Sequence, residues 1–190
     1  MLSSNSQGRK WRFHAVRRQP TILSFDAPLF QTLRRDQNGI LISSSQNIRI
    51  QNITLRRVRN FAILINASSN VQLERVTVED SGSLGPNGKN NTTGGILFEE
   101  GVRDFQVANS SFRDILGNAV WTHSYSASPR NSNGIIHRNE FLNIARDAEH
   151  HGAPVALDTA GKVDKSIYRE NTFTNIGGQC INLDGFHSRQ

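Results

Sequence analysis

One cysteine in 190 residues, Cys180, leaves no partner for an intramolecular disulfide and no Cys/His spacing for zinc. It lies beside Ile181, an inward position, and reads as a packed or half-exposed thiol rather than a nucleophile. Apolar residues never run for about 18 positions, so no segment has the length of a membrane-spanning helix. The opening "MLSSNSQGRKWRFHAVRRQP" has basic residues but no apolar core, which excludes a secretory signal within it. A sustained apolar period of 3.6 residues is missing throughout, and with it the case for helices. Aromatics interleaved with basic residues, the pattern of base stacking, are confined to "KWRFHAVRR", which argues against nucleic acid as a partner. Hydrophobic residues amount to 36%, low for a thick globular core.

What the chain has instead is a repeat. An apolar strand, a turn and a second strand recur in "GILISSSQNIRIQNITL", "AILINASSNVQLERVTV", "GILFEEGVRDFQVANSSF", "AVWTHSYSASPRNSNGIIHRNEF" and "VALDTAGKVDKSIYRENTF", and a sixth copy starts at "CINLDG". The copies close on Leu55, Val78, Phe112, Phe141 and Phe173, at intervals of 23, 34, 29 and 32 residues. Within a copy the apolar residues alternate, as in Ile40, Ile42, Ile48, Ile50, Ile53 and Leu55, which is the strand period. The expected fold is all-β: a parallel β-helix of about six coils, each burying its inward residues against its neighbours. Residues 1–36 form an irregular lead-in or a partial first coil around "TILSFDAPLFQTL", and residues 37–190 form the repeat domain. The last coil stops without its second strand, so the chain is expected to be an incomplete piece of a longer exported solenoid. Inserts at 82–94, 124–133 and 145–153 lengthen individual coils and are expected to share a binding rim. Ser110, Asn139 and Asn171 precede Phe112, Phe141 and Phe173 by two residues, a spacing that predicts an internal hydrogen-bond ladder.

Aligning the first strand of each coil puts Ile40, Ile63, Ile96, Val120, Val155 and Ile181 in one inward row, and Ile42, Ile65, Phe98, Thr122, Leu157 and Leu183 in the next. The outward row that follows is Ser43, Asn66, Glu99, His123, Asp158 and Asp184. Glu99, His123, Asp158 and Asp184 are therefore the candidate catalytic residues. At a coil spacing of roughly 4.8 Å, Asp158 and Asp184 would stand one rung apart. Two carboxylates that close either share a proton, one of them with a raised pKa, or hold a cation; Ca²⁺ is the ion such a pair would take. Glycosidases need this kind of acid and ionised partner, and a lyase needs a base plus a positive group on the uronate. Asp-Thr and Asp-Gly are also ordinary turn pairs, so the same aspartates fit strand-end turns. Trp121, beside His123, suits a sugar platform or packing under the insert. Arg130, His151 and His187 are the remaining candidate substrate-binding residues, the two histidines either facing the groove or solvated on loops.

The formal charge is +6 with a pI near 10.2, and arginines cluster early, at Arg9, Arg12, Arg17, Arg18, Arg34, Arg35, Arg56, Arg57 and Arg59. A polyanion such as an acidic polysaccharide is the natural partner of that surface, unless the charge serves as a solvated edge that prevents strand self-pairing. The repeat signature, G-x-I/V-x-I/L followed by N-x-F, resembles right-handed parallel β-helix proteins of the pectin-lyase-like superfamily over roughly residues 38–187. "NAVWTHS", "SPRNS", "PVALDTAG" and "INLDGFH" look like a bacterial branch of it. That resemblance implies a polysaccharide ligand and an extracellular, cell-surface or periplasmic location, since relatives include lyases, polygalacturonases, tailspikes and adhesins. Trp121-Thr122-His123 only echoes the W-I-D-H pattern of pectate lyases and the polygalacturonase motifs are absent, so no catalytic residue is carried over. Two functions follow: a lyase or hydrolase acting on an acidic polysaccharide, or a non-catalytic glycan-binding or adhesion module.

Overall fold

The computed structural model describes residues 21–24, 38–83, 93–125, 130–145 and 155–185. Among these there is no helix, as the missing 3.6-residue period requires. One six-stranded parallel sheet takes one strand from each coil: β2 (Ile40–Ser43), β4 (Phe61–Asn66), β6 (Gly94–Glu99), β9 (Val120–Ser124), β12 (Val155–Gly161) and β16 (Gln179–Gly185), neighbours in that order. The second sheet holds β1 (Thr21–Ser24), β3 (Gln46–Arg56), β5 (Ser69–Ser81), β7 (Arg103–Ala108), β8 (Ser111–Ile115), β10 (Asn131–His137), β11 (Glu140–Ile144), β13 (Val163–Asp164), β14 (Ile167–Arg169) and β15 (Thr172–Ile176). It is two faces rather than one, because β7 pairs with the first half of β5 and β8 with the second half. Long strands β3 and β5 run around the corner that later coils break into two strands. Every pairing is parallel and joins a coil to the next, the definition of a β-solenoid. β1 pairs with Ile53–Arg56 of β3, so the segment "TILS" adds a strand ahead of the first complete coil.

The corners are built by side chains that tolerate a left-handed backbone. Asn47, Asn70, Asp104 and Asn133 share one column at φ of 51–57°, and Asp80, Asp114, Asn143 and Asn175 another at 50–56°. Asn and Asp reach this region at little cost and their side chains bond locally. Here they also bond from coil to coil: Asn70 Nδ2 donates to Asn47 Oδ1 at 2.7 Å, Asn143 Nδ2 to Asp114 Oδ1 at 3.0 Å, and Asn175 Nδ2 to Asn143 Oδ1 at 2.7 Å. The expected buried ladder is present. Asn139 Oδ1 accepts the Ser110 N–H at 3.0 Å, Asn171 Oδ1 accepts the Asn139 N–H at 3.0 Å, and each amide nitrogen donates inward to a main-chain carbonyl.

Inside, Ile63, Ile65, Ile96, Phe98, Phe112 and Phe141 are fully buried. Phe112, Phe141 and Phe173 stack with centroids 5.1 Å apart at each step, tilted by 6° and 11°. On the outside of the second sheet, Glu79 is held between Arg56 and Arg113 of the two flanking coils. Ile181 and Leu183, inward by alternation, are 42% and 69% exposed in the last described coil.

Candidate functional site

The outer side of the six-stranded sheet carries the candidate residues in two rows. One row reads Leu41, Leu64, Leu97, Trp121, Asp158, Asn182, and the other Ser43, Asn66, Glu99, His123, Ala160, Asp184. Glu99, His123 and Asp184 share a row as expected. Asp158 does not: it pairs with Trp121 and Asn182, while Ala160 takes the place between His123 and Asp184. Likewise Leu157, not Val155, stands opposite Val120 and Ile181, and Thr159, not Leu157, joins Thr122 and Leu183. The fifth coil is thus shifted by two residues from the alignment that alternation alone suggested. Because two residues is one strand period, the shift leaves inward residues inward and moves Asp158 along the face rather than off it.

The shift changes the chemistry available. Asp158 and Asp184 are one rung apart and two residues offset, about 8 Å between Cα positions at parallel-sheet spacing, instead of the single rung expected. No group of three His, Cys, Asp or Glu side chains suited to a metal occurs among the described residues.

Asp158 is the buried carboxyl of this face. It is 9% exposed, and burial pushes its pKa up. Hydrogen bonds from Asn182 and Asn118 oppose that rise, the Asp184 charge adds to it, and His123 draws it back. Asn182 Nδ2 donates to Oδ1 and Asn118 Nδ2 to Oδ2, both at 3.1 Å. Asn118 is itself locked, its Oδ1 accepting the Val155 N–H at 2.8 Å, so one buried amide fixes both the start of β12 and the carboxyl orientation.

Beside it lies an aromatic stripe along β9. Trp121 and His123 are 4.9 Å apart between ring centroids, and His123 meets Tyr125 edge-on at 4.1 Å. Phe61, whose partner on β6 is Gly94, backs Trp121 at 6.2 Å. Gly95 allows the close approach there: a Cβ on it would fall 1.7 Å from the Ala119 carbonyl oxygen. Glu100 anchors the far end, its carboxylate accepting the Tyr125 N–H at 2.8 Å and the Ser124 hydroxyl at 3.3 Å. Trp121 Nε1, His123 Nδ1 and Asn66 Oδ1 are shielded polar atoms with no hydrogen-bond partner among the described residues.

Arg130 lies apart from this cluster in its bonding, its guanidinium engaging Asp164 of the next coil at 3.2 Å. His151 and His187 fall outside the described residues, as do the central parts of the three inserts. Tyr125, Glu100, Asn118 and Asn182 were not foreseen. Tyr125 continues the i, i+2, i+4 pattern of Trp121 and His123, a signal that the apparent insert from residue 124 obscured.

A search of the curated proteins found no match, and a search of the solved structures found none. A family model described as "Right handed beta helix region" matches residues 31–188. With strands pairing in parallel from coil to coil over that span, the chain belongs to the right-handed β-helix family.

Proposed function

We propose that the outer face of β6, β9, β12 and β16 binds a polysaccharide and cleaves its glycosidic bonds, with Asp158 as general acid and Asp184 as the base that activates water. The observation that carries this reading is Asp158 itself: a buried carboxyl on the outward side of a sheet, its pKa raised by burial, flanked by an indole and an amide. A glycosidase acid needs a raised pKa so that it still holds a proton when the substrate arrives. Asp184 is exposed and stands on the next rung, two residues along, the partner that would activate a water in an inverting mechanism. Hydrolysis fits the face better than elimination. A lyase needs a cation on the uronate carboxylate, and Arg130 is already engaged by Asp164. Such a substrate lies outside the cell, so the reading carries an extracellular, surface or periplasmic location with it.

One observation favours a second reading, a non-catalytic glycan-binding module. Asp158 accepts from two amides, one of which also bonds the main chain at the corner, as a structural clamp would. The two are separated by incubating the folded protein with soluble polysaccharides and measuring new reducing ends. Hydrolysis predicts release with inversion seen by proton NMR, and a loss of about 100-fold or more in Asp158→Asn and in Asp184→Asn, the scale for losing a positioned acid or base. Binding without release by the wild type would establish the module.

A further inference from the structure

We infer that the ligand of this face is an uncharged glycan, stacked along β9 on Trp121 and Tyr125, and that the face discriminates against uronate polymers. The inference rests on the glycan reading above and names its substrate class. Net charge points the other way, so the placement of charge decides the matter. Seven of the 22 Lys and Arg residues, but only two of the 16 Asp and Glu, fall within residues 1–37, so five of the six formal positive charges belong to that segment. In the coils, several arginines are engaged by carboxylates of neighbouring coils on the second sheet: Arg49 by Glu74 at 3.0 Å, Arg138 by Glu170 at 2.7 Å, Arg56 and Arg113 by Glu79.

The six-stranded face is different. Over β6, β9, β12 and β16 its two outward rows present Glu99, Asp158 and Asp184 with one imidazole, His123, and neither lysine nor arginine. Lys162, just past the end of β12, is the nearest cation in register, at the margin beside Tyr125. The aromatic stripe runs along β9 and the residue after it, hence across the solenoid axis, with the His123 ring 4.9 Å from Trp121 and 4.1 Å from Tyr125. Sugar rings offer apolar faces to such side chains and hydroxyls to the flanking carboxyls. Glu99 lies one rung from His123 on one side of the stripe, and Asp158 one rung from Trp121 on the other. A uronate lying there would press its carboxylate against Glu99, a like charge that acts as a rejecting element, and would add to the cost of ionising Asp158.

The test uses matched polymers that differ only in charge: polygalacturonate and alginate against their carboxyl-reduced forms, with soluble xylan and mannan as further neutral probes. Binding to the wild type at low temperature, with new reducing ends monitored so that turnover is seen, is measured by affinity electrophoresis and calorimetry, with and without Ca²⁺. The expected result is binding to at least one neutral polymer tenfold or more tighter than to either uronate polymer, reduced tenfold or more by Tyr125→Ala and retained in Tyr125→Phe. Tyr125 is half exposed, so its truncation leaves the fold intact, which an unchanged circular dichroism melt verifies. Equal or tighter binding of a native uronate polymer, in either condition, overturns the charge inference while leaving the glycan reading standing. Binding of neutral polymers unaffected by Tyr125→Ala overturns the stacking. No binding to any of the six polymers by the folded wild type overturns the inference and the glycan reading together.

Discussion

Truncating Phe141 to alanine probes what holds the coils together. Its ring is fully buried and stacks on Phe112 on one side and Phe173 on the other, each at 5.1 Å. Deleting a buried phenylalanine side chain costs about 3–5 kcal/mol, and each lost ring pair adds about 0.5–1.5 kcal/mol, so about 5 kcal/mol is expected. For a chain of this size that lowers Tm by about 10–20 °C. Phe173, only partly buried and with one ring neighbour among the described residues, should cost about 2 kcal/mol, less than half as much. Phe141→Leu restores most of the volume without the stack and should cost well under half of Phe141→Ala, near 1–2 kcal/mol by the cost of reshaping a core. Urea denaturation of the four proteins, followed by circular dichroism and tryptophan fluorescence, gives the ranking. If Phe141→Ala is no more destabilising than Phe173→Ala, the ring column is not the spine of the solenoid and the reasoning fails.

Three further outcomes follow from the coils. Asn139→Ala leaves the Ser110 N–H and the Val107 carbonyl without their side-chain partner inside the core and should cost about 2–4 kcal/mol in urea unfolding, against well under 1 kcal/mol for exposed Asn175→Ala. Gly95→Ala would drive a Cβ into the Ala119 carbonyl, so soluble yield and Tm should drop sharply, whereas Gly→Ala at an unobstructed surface position changes little. His137 is buried beside Arg138 and Arg169, and burial first, then those charges, hold its pKa below the ordinary histidine value. Its neutral form is favoured in the fold, so it contributes stability that is present above about pH 6.5 and lost as pH falls through the lower folded value. In His137→Gln, stability measured from pH 7.5 to 5 should lose that part of its slope; an unchanged slope would assign the pH dependence elsewhere.

The fold was legible because alternation and repeat length are written in the residues themselves. Ile40, Ile63, Ile96 and Val120 fall in register as their pattern requires, and β9 and β16 keep their relative alignment. The fifth coil defeated the same reasoning for a physical cause. Val155, Ala156 and Leu157 are all buried, so alternation there fits two registers that differ by one strand period and bury the same side chains. What selects between them is not hydrophobic at all but Asn118, whose side chain receives the Val155 N–H and steers Asp158. A one-residue error would have placed Asp158 inside and been self-evident; a two-residue error preserved the face and misplaced the neighbour. The charge of the candidate face was equally hidden, since net composition averages an arginine-rich lead-in with an acidic sheet.

The most direct test of the account is the titration of the Asp158 carboxyl itself, followed by carbon-13 NMR in the folded protein and assigned through Asp158→Asn. Burial and the nearby Asp184 charge both raise this pKa, so Asp158 should titrate above the ordinary aspartate value of about 3.9 and move down in Asp184→Asn. Titration at or below that value, with no response to Asp184→Asn, would contradict the assignment of Asp158 as a proton-holding acid on this face.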